Sequence, residues 1–517
     1  MASSKETNKN RNKEQNHDEH AAQEHASHKH RHQNILTRNL HAVGGVLSLL
    51  QAGTAALLLY LLNGTGMIPW KYIMIAFAVL GGMVLLVVLL VGIRKKRTRI
   101  IAIALSLLMI IAQLVGSSYL YRTMSLLHGA EASYKTDVLN VVVRKDDKAL
   151  EIADTGEYKF GIVDDLDDEE KETFLETLRL NTRQENIDYR EYGTALEAAR
   201  ALTEGEIDAA VYREAYGSVL EEVMDSFASS TRVIDTFEIR TEMAYENVEP
   251  GEPFNLLISG IDVKGDISQT SRSDVNIIVT INPKTKKILM TTTPRDYYVE
   301  IPEVSYGQRD KLTHAGIYGE DASIRTLENL YGIDITYYVR VNFTTLIDIV
   351  DAIDGVDVWS DYEFDCFTDS EVHINKGWNH LNGKQALAFS RERFSFPDGD
   401  NQRGKDQEQV LKAIIEKVMS PALIVNASAL LDSMRGSFQT DLPESKIAEL
   451  ISQQLSEGTD WIILRQAAAS GGGGMENTFS AGVASVTWPD YYSVKQNTAR
   501  INMILDERPK EQSSKQQ

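Results

Sequence analysis

Three apolar runs near the start of the chain decide most of what it can fold into: Leu40–Leu62, Tyr72–Ile93 and Ile100–Tyr121. Each is 22 or 23 residues long, and roughly 20 apolar residues suffice to cross a bilayer as a helix. One such run is compatible with a buried core helix. Three in succession, with no acidic residue from 40 to 121, specify membrane helices. A cleaved leader fits poorly, because there are three runs and the first begins after residue 39.

Charge divides the chain in the same place. Residues 1–39 carry net +2, residues 40–121 net +6, and the remainder −29, for a total of −21. This is the pattern of a membrane anchor followed by an acidic, water-exposed body. The loop "RKKRTR" (94–99) joins the second and third runs and belongs in the cytoplasm by the positive-inside rule. The N-terminus is then inside, and everything after Tyr121 is outside. Trp70, Tyr72, Tyr119 and Tyr121 sit at run ends, where aromatic belts form. The polar tail 1–39 holds six histidines between His17 and His32, and its composition predicts cytoplasmic disorder rather than a metal site. Residues 509–517 form a second polar tail. Cys366 is the only cysteine, which argues against a disulfide-framed secreted domain.

At 517 residues the chain has room for two or three units. Residues 134–245 read as a small accessory α/β unit. "VLNVVV", "YKFGIV" and "IDAAVY" have strand character. "EEKETFLETLRL", "ALEAARALTEG" and "SVLEEVMDSFA" have helix character. Nothing in this unit looks catalytic; "DDLDDEE" (164–170) reads as a solvated acidic helix start, with a cation site as the alternative. "ENVEPGEPF" (246–254) is a linker into a second unit, 254–508.

That unit opens with three apolar strands: "FNLLIS" (254–259), Val275–Ile281 and "ILMTTT" (288–293). As an antiparallel meander they bring Asp262, Arg272, Asp274, Arg295 and Asp296 to one end of a sheet. A structural salt-bridge network is the plain alternative for such a cluster. Further on, "DASIRTLENLYG" and "FTTLIDIVDAIDG" predict helices, and "ITYYVRV" a strand. Arg391 and Arg393 are two apart, so an extended segment aims both the same way. Arg403 and Gln407 are i and i+4 on a helix starting near Gln402, a helix start suited to phosphate or to solvent.

The segments "SGIDVKGDISQTSRSDVNIIVTINPKTKKILMTTTPRDYYVEIP", "DKLTHAGIYG", "VNFTTLIDIVDAIDGVDV" and "HLNGKQALAFSRERFSFPDGDNQRGKDQEQVL" together resemble the LytR–CpsA–Psr (LCP) family. They cover most of residues 254–420. The three-span anchor and the extra outer unit look like the family's capsule-associated branch in streptococci and relatives. The resemblance implies an α/β architecture: three N-terminal transmembrane helices, the accessory unit, and an extracytoplasmic mixed sheet flanked by helices with a pocket for a polyprenyl chain. It implies a phosphotransferase that moves a glycopolymer, here capsular polysaccharide, from an undecaprenyl-pyrophosphate carrier to peptidoglycan.

By position, Asp262 and Asp274 match the family's magnesium-binding acids, and with Arg295 they form the implied catalytic set. Arg272, Arg295, Arg391, Arg393 and Gln407 match the pyrophosphate-binding set. Asp296, Lys311, Asp400 and Arg403 fall on motif positions that imply supporting roles. Many members carry an arginine just before the glutamine; here it is Asp406. The implied cofactor is Mg2+, and the implied partners are the lipid-linked glycan, peptidoglycan, the membrane and capsule-assembly proteins. The residue types suit that chemistry. Arginine forks bind phosphate, and magnesium takes one or two carboxylates plus phosphate oxygens. Two other readings use the same parts: a sensor of envelope assembly without catalysis, and a hydrolase of the same lipid pyrophosphate. The cytoplasmic tail and six-residue basic loop leave no room for a helix-turn-helix, so direct nucleic-acid binding is not expected.

Overall fold

The computed structural model describes residues 39–127, 134–166, 168–242, 248–261, 267, 269–396, 399–420, 438–458 and 460–508. Most of the two polar tails and the site position Asp262 lie outside these residues. The chain divides into two units, Met1–Met124 and Ser125–Gln517.

In the first unit, Asn39–Gly64, Trp70–Gly92 and Lys96–Tyr121 are helices long and apolar enough to cross a membrane. Several of their polar groups find partners within the bundle. Thr54 Oγ1 donates to Gln113 Oε1 at 2.5 Å, and Gln51 donates to the Met109 sulfur at 3.1 Å. Arg99 donates to the carbonyls of Val91 and Ile93, which the end of the second helix leaves unpaired.

The second unit begins with a five-stranded sheet: β1 (Tyr134–Arg144), β2 (Lys159–Val163), β3 (Asp188–Tyr192), β4 (Ala209–Arg213) and β5 (Thr231–Glu242), in the order β3-β2-β4-β1-β5. β2 runs parallel to β3 and β4, while β1 is antiparallel to β4 and β5. The helix Ala195–Glu204 is capped by the Thr194 hydroxyl, and Gly205 closes it at φ 81°, a left-handed conformation that suits glycine. The reading of "SVLEEVMDSFA" as one helix is corrected. Met224 is extended, and separates Gly217–Val223 from Phe227–Ser230. The acidic stretch 164–170 is not simply a solvated helix start. Asp165 and Glu170, with Asp137, surround the buried Arg213 at 3.4, 3.1 and 2.5 Å. A guanidinium therefore stands where a cation site was the alternative.

The central sheet has six strands. Its heart is the expected meander, β6 (Phe254–Ile261), β7 (Ser273–Asn282) and β8 (Lys287–Thr292), antiparallel throughout. A short hairpin of β9 (Tyr298–Glu300) and β10 (Arg309–Lys311) follows. β11 (Tyr337–Val341) joins β6 in parallel, and Phe438–Thr440 pairs antiparallel beyond it. Ile462–Ala467 runs parallel to β8 on the opposite edge. Alternation along the meander serves two cores. Leu257, Ile278 and Leu289 pack with residues of helices Glu320–Tyr331 and Tyr491–Asp506. Leu256, Ile277, Val279 and Met290 pack with Leu411 and Ile415 of helix Asp400–Val418. The accessory unit and the central-sheet unit share a core as well. Ile317, Ala481 and Ala484 join Leu196, Tyr216 and Leu220 of the accessory unit, with the Tyr216 and Tyr318 rings edge to face at 5.8 Å.

Candidate functional site

The site is assembled where three strand ends meet the start of one helix. Asp274 is the second residue of β7, and Pro294–Asp296 follow β8. Arg295 Nη1 donates to Asp274 Oδ2 at 2.7 Å, and Thr313 Oγ1 donates to Oδ1 at 3.2 Å. Burial alone would raise the Asp274 carboxyl pKa. The charge and hydrogen bond of Arg295, helped by Arg272 and Arg403, outweigh burial and hold it below the usual carboxylate range. Asp296 lies 3.8 Å from both Arg295 and Lys311.

Helix Asp400–Val418 brings the next pair. Gly404 sits against β8 so closely that a Cβ there would lie 3.2 Å from the Thr292 methyl. That approach sets Arg403 and Gln407, one turn apart, at the strand ends. Gln407 also donates to the Ser390 carbonyl at 3.3 Å. The side chain of Asp400 lies outside the described residues. The expectation of one extended segment through Arg391 and Arg393 is corrected. Arg391 is the last residue of helix Gly383–Arg391, which Asn382 caps at its start. Both arginines nonetheless line the same cavity, with Arg391 stacked on Phe343 at 4.1 Å and Arg393 on Phe394 at 4.6 Å.

That cavity has a volume of about 550 Å³. Its polar part holds Arg272, Asp274, Arg295, Arg391, Arg393, Arg403 and Gln407; its apolar part runs between sheet residues Ile258, Val275 and Ile277 and helix residues Leu346, Leu387, Val410, Leu411 and Ile414. Five guanidinium groups against two carboxylates favour an anion, and the apolar part favours a hydrocarbon attached to it. The second carboxylate, Glu222, comes from the accessory unit and was missed in the sequence. It stands 3.4 Å from Arg272 and 3.6 Å from Lys311. No local pattern in Gly217–Val223 signals this role, because the contact exists only after two units have packed.

Asp406 does not face the cavity. It is buried, accepts from Gln402 at 3.0 Å, and its second oxygen has no hydrogen-bond partner among the described residues. Burial pushes its carboxyl up to about 7, and burial does the same to Glu408, which accepts from Thr292 at 2.7 Å. A folded-state pKa above the unfolded value means that stability is fully present below the unfolded pKa, near 4, and is lost as pH rises to about 7. Asp406→Asn is therefore expected to stabilise the fold more at pH 8 than at pH 5, by roughly 2–3 kcal/mol. Thermal melts of both proteins at the two pH values check this; an identical gain at both would mean an ionised Asp406.

For magnesium, no group of three His, Cys, Asp or Glu side chains able to hold a metal ion occurs among the described residues. Asp274 offers one carboxylate beside the arginines, which suits a magnesium ion only with phosphate oxygens completing its shell.

Residues 220–487 match the family model LytR_cpsA_psr, slightly more than half of the chain. The chain belongs to the LytR_cpsA_psr family. A Bacillus anthracis relative named polyisoprenyl-teichoic acid–peptidoglycan teichoic acid transferase TagU is 37% identical over 206 residues, 40% of this chain and 66% of the relative. An Enterococcus faecalis protein of the same name is 33% identical over 220 residues, 42% of this chain and 71% of the relative. The chain thus spans just under two thirds of the length of the Bacillus anthracis relative. Among solved structures, Bacillus subtilis TagV is 28% identical with a TM-score of 0.43, covering 50% of this chain and 100% of that one. The family match includes the tip of the accessory unit that carries Glu222.

Proposed function

We propose that this LytR_cpsA_psr protein transfers a glycopolymer, capsular polysaccharide by preference, from a polyprenyl-pyrophosphate carrier to peptidoglycan on the outer side of the membrane. The observation that carries this reading is the junction of an arginine-rich mouth with an apolar cavity. A pyrophosphate joined to a long prenyl chain has that same division. The names of the relatives support the donor and acceptor classes. The basic loop 94–99 supports an outward-facing second unit, and capsule-assembly proteins are its expected neighbours.

In this reading Arg272, Arg295, Arg391, Arg393, Arg403 and Gln407 hold the pyrophosphate and stabilise charge as it moves to the leaving phosphate. Asp274 fixes the Arg295 fork. Asp274 and Asp262 are the proposed magnesium ligands, and the ion would supply further charge neutralisation at the phosphates. An acceptor sugar hydroxyl forms a P–O bond to the glycan-side phosphorus, and the bridging P–O bond breaks. The polyprenyl phosphate leaves with that electron pair and takes up the hydroxyl proton through water. The phosphoanhydride supplies the driving force, so no nucleotide is needed.

The test is a product assay with the full chain in bilayer discs, a synthetic polyprenyl-pyrophosphate glycan and peptidoglycan fragments. Polyprenyl monophosphate and a phosphodiester-linked glycan–peptidoglycan product are expected. Release of free glycan phosphate alone would make the protein a hydrolase, and donor binding without turnover would make it a sensor.

A further inference from the structure

The side chains Asp274, Arg295, Arg403 and Gln407 line two cavities, not one. Beside them, at the ends of β8 and of the strand Ile462–Ala467 rather than at the β6, β7 and β11 residues of the apolar chamber, lies a second space of about 350 Å³. Its walls differ in chemistry from those of the first. They are built from Thr292, Thr293, Lys405 and the segment Ala467–Ser470, without one leucine, isoleucine or aromatic ring. Small residues leave the volume open; the Lys405 ammonium group and the polar heads of the shared row offer hydrogen bonds.

We propose that this second cavity is the acceptor subsite, where an amino-sugar ring of the receiving glycan presents its hydroxyl. The inference rests on the phosphotransferase reading above and goes further by locating the nucleophile. Phosphoryl transfer places the attacking and leaving oxygens roughly in line through phosphorus. With the prenyl chain in the first cavity, polyprenyl phosphate departs towards that side. The attacking hydroxyl must then arrive from elsewhere along the shared row, and the second cavity opens onto the same four side chains without sharing the apolar walls. The rim has a surface for a longer glycan. Ala469 N–H donates to Ser493 Oγ at 2.9 Å, which ties the cavity wall to the start of the C-terminal helix. There Tyr491 and Tyr492 are 55% and 71% exposed, and aromatic side chains pair an apolar face with a polar tip.

The experiment narrows the second cavity without touching the shared row. Ala467 and Ala469 are solvent-exposed, so Ala467→Leu and Ala469→Leu leave the core unchanged. Each is expected to raise the acceptor KM by about tenfold or more while donor Kd stays within about twofold. An unchanged acceptor KM in both variants overturns the proposal, as does a loss of donor affinity equal to the loss for acceptor. A second measurement needs no turnover: NMR titration of the full chain in bilayer discs with a soluble disaccharide–peptide fragment of peptidoglycan. Binding that weakens in both leucine variants supports the subsite, and binding that ignores them rejects it. If the unaltered protein transfers nothing, the phosphotransferase reading falls, and the titration still decides the cavity.

Discussion

Asp274→Ala is expected to stop glycopolymer transfer while the protein still folds. Asp274 has 18% of its side chain exposed and fixes Arg295 through a 2.7 Å charge-assisted bond. Without it the guanidinium loses its orientation, and a proposed magnesium ligand is gone. Losing one preorganised transition-state contact costs about 10²–10³ in rate, and losing two linked functions at once should exceed that. Stability should suffer far less, because the residue sits at a strand end and Arg295 retains Asp296 within 3.8 Å. Single-turnover transfer, with a thermal melt as control, checks both halves. Normal turnover by the variant, with magnesium chelated, would refute the metal and orienting roles together.

The second large effect is expected from Arg391→Lys, Arg393→Lys and Gln407→Ala. Lysine keeps the charge but loses the planar fork and the stacking that Phe343 and Phe394 give the two arginines. A charge-assisted hydrogen bond is worth about 1.5–3 kcal/mol, so each variant should lose about 10- to 100-fold in kcat/KM. If these groups stabilise moving charge, kcat falls along with donor affinity. Donor Kd from titration and transfer rate at saturating donor separate the two. Unchanged values in all three variants would reduce the cluster to a structural ion network.

Much of this site could be read before any fold was known, because its parts sit at the ends of consecutive antiparallel strands. In a meander, every second turn returns the chain to the same end of the sheet, so Arg272, Asp274, Arg295 and Asp296 had to meet. Helical spacing put Arg403 and Gln407 on one face, and only the family resemblance marked that face for the site. Other features depended on partners distant in sequence. Arg391 ends a helix that Asn382 caps nine residues upstream, a signal in plain view that the two-residue spacing obscured. Asp406 points into the core although its neighbours serve the cavity, since adjacent helix positions face about 100° apart. Glu222 belongs to the site only through the packing of two units. The strand β3 was overlooked because "DYREY" is polar and almost wholly exposed, and an edge strand does not need alternation to pair.

The edges of the central sheet carry a consequence for how the protein comes into being. The meander β6–β7–β8 is local and can form as soon as it is made. Its two flanks cannot. β6 waits for β11, and β8 waits for Ile462–Ala467, which lies almost at the end of the chain. Parallel pairings of this kind close long loops before they are rewarded, so they form late and slowly. A chain made only as far as β8 presents these three strands with bare backbone edges and uncovered isoleucines and leucines. Such a ribbon is a template for misassembly. A chain that stops before residue 462 therefore holds every proposed pyrophosphate- and magnesium-binding residue while the β8 edge of its sheet stays unpaired.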